Sequence, residues 1–339
     1  MVQGTEHEYT LYCRKMGTMG FDPHMMALDL LRDSDLHLAG EFITNGSRVY
    51  YDVGHFEVST AETTNFHDVV IWEKAGEKVL DWLRRVMEEK YTGDMKIHAF
   101  KNNTSPDGTS YGSHENYCVS RDVPFPGQYV RDLVPHLSTR IIYTGAGDIV
   151  RGKYVLSPMA FLTSQVVSGE TMHDTGILNT RDEPHADGRL WRRLHVIVGD
   201  ALMNETAIML RHFVTSGVLQ LMEDGKLADV PRLKDPIRDL WHNVEIRNPE
   251  QWKVELEDGR TVSDRDPAIL PREDRVNRGG RLGAPRLADV RRGPGRPREP
   301  SLEGARAPDR VARSLVRDPG GGREEGRARC RDDGLQAIL

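Results

Sequence analysis

Residues 45–57 read Asn45-Gly46-Ser47-Arg48-Val49-Tyr50-Tyr51-Asp52-Val53-Gly54-His55-Phe56-Glu57. Asn45-Gly46 is a turn signal, and after it Arg48, Tyr50 and Asp52 fall at alternate positions on one face of a strand. A half-buried strand normally sends apolar residues to one face. Here that face carries an arginine, a tyrosine and a carboxylate. Facing a cleft, Arg48 can hold a phosphate, Asp52 can act as base or nucleophile, and Glu57 can reach a metal. Facing water, the segment is an ordinary edge strand with a solvated side, so context decides.

Three other segments supply that context. Upstream, Glu6-His7-Glu8 in an extended segment presents two carboxylates to one point, a ligand set that hard divalent cations favour; E-x-E is also common on solvated strands. Downstream, Lys101-Asn102-Asn103-Thr104 and Ser110-Tyr111-Gly112-Ser113-His114-Glu115-Asn116-Tyr117 surround one histidine with hydrogen-bonding side chains and a glycine, as in a site loop that feeds a strand. Further on, Asn179-Thr180-Arg181-Asp182-Glu183-Pro184-His185 leads to Arg192-Arg193-Leu194-His195-Val196-Ile197-Val198. Burying the LHVIV strand draws its arginines and histidines to a cleft edge, where they suit a polyphosphate and its developing charge.

The rest of the pattern mixes strands and helices without an internal repeat. Residues 66–90 carry apolar side chains at Val69, Trp72, Val79, Leu83 and Val86, with Asn65 as cap, and predict an amphipathic helix. Met95 to Phe100 reads as a short strand. Phe125 to Ile142 and Asn204 to Met222 read as helical, and Asp258-Gly259 marks a hairpin within Trp252 to Val262. There is no Walker A loop, GxGxxG, GxSxG or Cys-His arrangement, which disfavours P-loop and Rossmann nucleotide binding and acyl-enzyme hydrolysis. Cys13, Cys118 and Cys330 stand at unrelated spacings, so a reducing compartment is expected. No segment has the length of a membrane span or the apolar core of a leader, so a cytoplasmic protein without membrane contact is expected.

Composition changes near residue 262. Residues 1–262 hold all 23 aromatics and 28 basic against 39 acidic residues, a balance of −11. Residues 263–339 hold 18 Arg, no Lys, 13 acidic residues, 11 Gly and 8 Pro, a balance of +5. Without aromatics such a tail cannot offset its ordering entropy. It is expected to be disordered, and its Arg/Gly/Pro mixture is what a GC-rich gene gives when read out of frame. The overall −6 argues against a nucleic-acid partner.

The ordered motifs together resemble the family of Pup ligases and Pup deamidases/depupylases, carboxylate-amine ligase relatives of glutamine synthetase. GTEHEY at 4–9 is similar to the family's GxExEY, and NGSRVYYDVGHFE to its NGARLYxD...HPE. KNNTSPDGTSYGSHENY at 101–117 and LNTRDEPHADGRLWRRLHVIVGDAL at 178–202 match two further family blocks. The resemblance covers roughly residues 4–262. It implies an α+β fold, a glutamine-synthetase-like antiparallel sheet cradle with helices packed on its outer side, holding ATP and Mg²⁺. It implies Glu6, Glu8, Tyr50, Glu57 and His114 as metal ligands, and Arg48, Thr60, Arg193 and His195 as ATP-binding positions. Asp52 matches the catalytic aspartate, and Asn102, Asn103 and Arg181 are candidates for phosphate or Pup contacts. The implied partners are Pup and pupylated proteins of the proteasome pathway.

Within the family, Ile71-Trp72-Glu73-Lys74-Ala75-Gly76-Glu77, Gly169-Glu170-Thr171 and the short Asp52-to-His55 spacing resemble the deamidase. Asp52-Val53-Gly54 and the short stretch from Glu8 to Asn45 are ligase-like. The resemblance as a whole favours an ATP- and Mg²⁺-dependent Pup deamidase/depupylase, with the ligase and a degenerate non-catalytic member as alternatives. Phe56 replaces the family's usual proline, and Ser157-Pro158-Met159 stands where the family has Ser-Gln-Arg. Family members continue past the hairpin into a smaller C-terminal domain, which is expected to be absent here.

Overall fold

The computed structural model describes residues 1–14, 23–39, 41–90, 96–150, 152–171, 173–227, 230–245 and 248–263. The expectation of a disordered or out-of-frame tail falls, beyond Ser263, outside the described residues. So does Met95 at the start of the expected strand.

In chain order the described elements begin with strand β1 (Gln3–Arg14), helix α1 (Pro23–Arg32), and strands β2 (His37–Ala39), β3 (Phe42–Ile43), β4 (Arg48–Asp52) and β5 (His55–Ser59). Helix α2 (Phe66–Lys90) follows, then β6 (Lys96–Phe100) and β7 (Ser113–Ser120). Three short helices come next, α3 (Gly127–Asp132), α4 (Val134–Thr139) and α5 (Ile141–Thr144), then a hairpin of β8 (Asp148–Val150) and β9 (Lys153–Val155). Helix α6 (Pro158–Leu162), strands β10 (Gln165–Ser168), β11 (Gly176–Asn179) and β12 (Trp191–Val196), and helices α7 (Glu205–Glu223) and α8 (Pro236–Val244) complete the body. A hairpin of β13 (Lys253–Glu255) and β14 (Thr261–Ser263) closes the described chain.

Ten strands make one sheet in the order β10-β11-β12-β7-β1-β5-β4-β3-β2, with β6 also paired to β1. The pairing is antiparallel except between β10 and β11, which run parallel. The expected antiparallel cradle is present, with one parallel pair at its β10 edge. Local chemistry sets several turns and helix starts. Asn65 Oδ1 accepts from the His67 N–H at the start of α2, and Asn204 Oδ1 caps α7 through the Ala207 N–H. Gly46 and Gly259 take φ of 85° and 86° in their turns, which L-residues adopt at a cost. The helical stretch expected over 125–142 is instead three short helices. Pro135, which lacks an N–H, sits in the first turn of α4, where a proline starts a helix more readily than it continues one.

Each central strand has two faces with different tasks. On β1, Glu6 and Glu8 lie on one side and Thr5, His7 and Tyr9 on the other; on β7, His114 and Asn116 oppose Ser113, Glu115 and Tyr117. Leu194 and Val196 of β12 join Ile177, Leu178, Leu137, Leu219 and Tyr117 in the core between sheet and helices. Full burial of each such side chain contributes about 1.5–3 kcal/mol. On α2, Val69, Val79 and Leu83 are buried as the periodicity predicts. Glu73 is buried with them.

Glu73 belongs to a chain of ions behind the sheet. It accepts from Lys101 Nζ at 3.1 Å and from Arg211 Nη2 at 3.0 Å. Arg211 Nη1 donates to the Asp200 carbonyl and approaches Ser113 Oγ, and its Nε lies 3.8 Å from Glu115. Arg140 then grips Glu115 with two nitrogens and also donates to Thr215 and the Val198 carbonyl. Burial pushes the Glu115 carboxyl up, but Arg140 and Arg211 draw it down further, to about 2. Removing one partner of a buried pair costs about 3–5 kcal/mol. Arg140→Leu is therefore expected to lose that much by chemical denaturation, with part of it returned by Glu115→Gln in the same chain; a cost under about 1 kcal/mol would mean the pair behaves as a solvated one.

Nearby, His136 is buried with Nε2 3.1 Å from Thr215 Oγ1. Burial first, and the Arg140 charge second, lower its pKa from 6.5 to about 3. The unfolded chain thus binds a proton at His136 that the native state refuses, so stability rises with pH across that interval and is lost as pH falls below 6.5. Replacing His136→Asn should make ΔG of unfolding fall less steeply between pH 6.5 and 4, by about 1.4 kcal/mol per pH unit at most. Parallel profiles for the two proteins would contradict this.

Candidate functional site

Glu6 is the centre of the site face. Its Oε1 accepts from Arg193 Nη2 at 2.7 Å, while Oε2 faces His195 Nε2 at 3.5 Å and His114 Nδ1 at 3.7 Å. Glu6, His114 and His195 each offer a ligand atom, and all three atoms lie within 4.8 Å of one another. They converge because β1, β7 and β12 are neighbours in register: Glu6 pairs with His114, and His195 with Asn116.

Two more carboxylates share this face, near enough for their charges to bear on His114. Glu8 Oε2 accepts from the Gly112 N–H at 2.8 Å and lies 2.7 Å from His55 Nδ1. Glu57 Oε1 accepts from the Tyr50 hydroxyl, which also meets Ser59 Oγ at 3.1 Å. Each of the three acids thus spends one oxygen on a positioning donor. A side chain at 112 is excluded by the close approach of this cluster, since a Cβ there would lie 2.5 Å from His114 Nε2 and 3.1 Å from Glu8 Oε1.

The electrostatics are those of an acid cluster that wants a cation. Burial raises the Glu6 carboxyl, but His114, His195 and Arg193 outweigh it and hold it at about 2. Burial and then the Glu6 charge push Glu57 up to about 7. Burial also pushes the Tyr50 hydroxyl far up, with Glu57 adding to it. Burial and neighbouring His114 keep His195 well below the ordinary histidine value, whereas bonding to Glu6 overcomes burial and raises His114. Both ring nitrogens of His195 are buried without a hydrogen-bond partner among the described residues. A neutral imidazole with an unused nitrogen, beside the Glu6 carboxylate and the His114 ring, belongs to a donor set that fits a divalent cation.

The other expected residues occupy different settings. Arg48 pairs with Glu41, Nε to Oε2 at 2.8 Å, and its guanidinium lies 4.2 Å over the Tyr50 ring. Thr60 Oγ1 accepts from the Thr5 N–H at 3.0 Å, beside β1. Asp52 is exposed at the end of β4, paired with His55 across the Val53-Gly54 turn. Asn102 Oδ1 accepts from the Thr10 hydroxyl at 2.8 Å, and buried Asn103 Oδ1 accepts from the Ala201 N–H at 2.6 Å. Both amides brace loop backbone and are not brought into the acid cluster. Arg181 is exposed on the loop after β11, near enough for its charge to bear on His195. Sequence reading missed His55 and Ser59 as supports of the cluster, although both lie within or beside the stretch that opened the reading.

With this geometry in place the comparisons are specific. The model of the Pup-ligase protein family matches residues 2–266. The chain belongs to that family. A depupylase from Acidothermus cellulolyticus is 40% identical over 255 residues, covering 72% of this chain and 50% of the relative. A Pup–protein ligase from Geodermatophilus obscurus is 41% identical over 275 residues, covering 77% of this chain and 59% of the relative. The crystal structure of the complex between Pup and its ligase PafA superposes with a TM-score of 0.67 at 32% identity, covering 78% of this chain and 55% of that one. PafA solved with ADP gives 0.58 at 32% identity, covering 74% and 56%. The Pup-ligase family chain described here thus spans about half to three-fifths of the length of the proteins it matches.

Removing donors should be felt directly in cation binding. Glu6→Gln and His195→Leu are each expected to weaken Mn²⁺ binding to the nucleotide-free chain by at least the roughly 10–100-fold that loss of a supporting residue costs. Calorimetric titration checks this, and an unchanged dissociation constant in both variants would remove the cluster as a metal centre.

Proposed function

We propose that this chain is an ATP- and Mg²⁺-dependent enzyme of the Pup-proteasome pathway. Its reaction is hydrolysis at the Pup C-terminus, converting glutamine to glutamate and releasing Pup from the lysines of pupylated proteins. The observation that carries the reading is the placement of Glu6, Glu8, Glu57, His114 and His195 on one sheet face, with the Asp52 turn leading into β5, the strand that carries Glu57.

Glu6, Glu57 and His195 would hold Mg²⁺, supported by Glu8, Tyr50 and His114. The cation, when bound, offsets nucleotide phosphate charge and polarises the oxygens bound to it. The chain's own residues do the rest. Arg193, fixed by Glu6 and Asn116, presents a positive group beside the cluster, and Arg181 adds a second from the neighbouring loop. Asp52 is a carboxylate at a turn tip, accessible to a substrate amide, where it serves either as the attacking nucleophile or as the base that takes a proton from water. Arg48, which opens β4, and Thr60, just after β5, complete the nucleotide side.

The hydrolytic direction is supported by Ile71-Trp72-Glu73-Lys74-Ala75-Gly76-Glu77 and the short Asp52-to-His55 turn, and by the depupylase among the relatives. Ligation of the Pup C-terminal glutamate to lysine, by way of a glutamyl phosphate, is the second reading. Asp52-Val53-Gly54 and the ligase relatives support it. No described helix is long and apolar enough to cross a membrane.

The deciding assay incubates the full chain with ATP, Mg²⁺ and Pup ending in glutamine, and separately with Pup ending in glutamate plus a lysine-bearing target. Deamidation is expected, and Asp52→Asn should reduce it by about 10²–10⁴-fold. Ligation without deamidation would transfer the assignment to the ligase. Nucleotide binding without Asp52-dependent turnover would make the chain a non-catalytic member.

A further inference from the structure

His55 lies outside the cluster but directly contacts one of its neighbouring carboxylates. It opens β5, is 9% exposed, and places Nδ1 2.7 Å from Glu8 Oε2. The Gly112 N–H donates to the same oxygen. With both donors on Oε2, Oε1 is the oxygen left beside Gly112 and His114. The His55 ring packs on Tyr111 with centroids 4.8 Å apart, so its orientation is set from a second direction.

His55 is also one end of a turn whose other end is Asp52. The two residues pair across Val53 and Gly54, which take φ of 44° and 96°. Glycine accepts this region freely, but a β-branched residue there is strained by about 1–3 kcal/mol, and such strain persists only where the surroundings hold it. The Val53 side chain is 63% exposed and does not hold it. The anchored end is His55, and Asp52 is the end that is carried.

We propose that His55 is a positioning residue: its bond to Glu8 fixes which oxygen Glu8 turns toward the carboxylate–histidine cluster, and the same bond pins the strained turn that places Asp52. This rests on the proposed reading of Glu8 as a support of the metal-holding residues and Asp52 as the reacting group. The role needs only a donor at Nδ1, whose partner carboxylate selects that tautomer. If the ring served only to fill space against Tyr111, phenylalanine would replace it without loss.

The test uses the full chain and Mn²⁺ as probe, titrated without nucleotide, together with Pup turnover. His55→Phe keeps the ring and removes the donor. It is expected to weaken Mn²⁺ binding about 10–100-fold and to lower kcat with KM for Pup little changed. His55→Asn restores a donor near the Nδ1 position and should recover most of the Mn²⁺ affinity. Wild-type affinity in His55→Phe, or an Asn variant no better than Phe, would overturn the positioning role. Should His55→Phe not fold, His55→Ala against His55→Asn is read by the same criterion. A wild-type chain that binds no Mn²⁺ brings down the metal reading and this inference with it, whereas tight binding in both wild type and His55→Phe sinks this inference alone.

Discussion

Behind the sheet, Lys101, Glu73, Arg211, Glu115 and Arg140 alternate in charge with almost no solvent around them. Apolar side chains of similar volume would give comparable stability, because desolvating ions consumes much of what their attraction returns. What ions add is direction. Glu115 neighbours His114 on β7, so gripping Glu115 from behind forces His114 to the front. A slip of one residue would send Glu115 into the acid cluster and His114 into the helices. The ion chain therefore fixes the register on which the Glu6, His114 and His195 cluster depends, and it does so through side chains that never touch that cluster.

Much of this was legible in the sequence where the information is local. The Asn45-Gly46 and Asp258-Gly259 turns, the cap at Asn65 and the α2 periodicity are each determined within a few residues. The pairing of β10 with β11 in parallel is not, since nothing in either four-residue strand encodes a partner direction. The break of 125–142 before α4 had a local signal in Pro135. Glu73 also had one: it sits four residues after Val69 and in line with Leu80, a charge inside an apolar stripe. A buried carboxylate needs buried cations, and Arg211 in the apolar α7 was its counterpart.

The candidate site divides along the same line. Glu6, Glu8 and Glu57 could be proposed from strand alternation and resemblance, and their convergence depends on long-range pairing that brings three strands side by side. Asn102 and Asn103 look identical in sequence to ligand-binding amides. Their oxygens are taken by the Thr10 hydroxyl and the Ala201 N–H, contacts 92 and 98 residues away in sequence, which no local pattern encodes. The family model spans residues 2–266 and so covers every element that builds the cluster.

Arg193 illustrates how such a surface resists dissection. Its Nε bonds Asn116 and its Nη2 bonds Glu6, so one guanidinium ties β12 to β7 and to β1. Under the proposed function, a kinetic defect in an Arg193 variant would look like a lost phosphate contact, yet it would also contain the release of Glu6 from its only arginine partner among the described residues. The two contributions are not separable by any single substitution at 193. Rate losses there are composite quantities, and an effect shared with a Glu6 variant belongs to the geometry of the acid rather than to recognition of nucleotide.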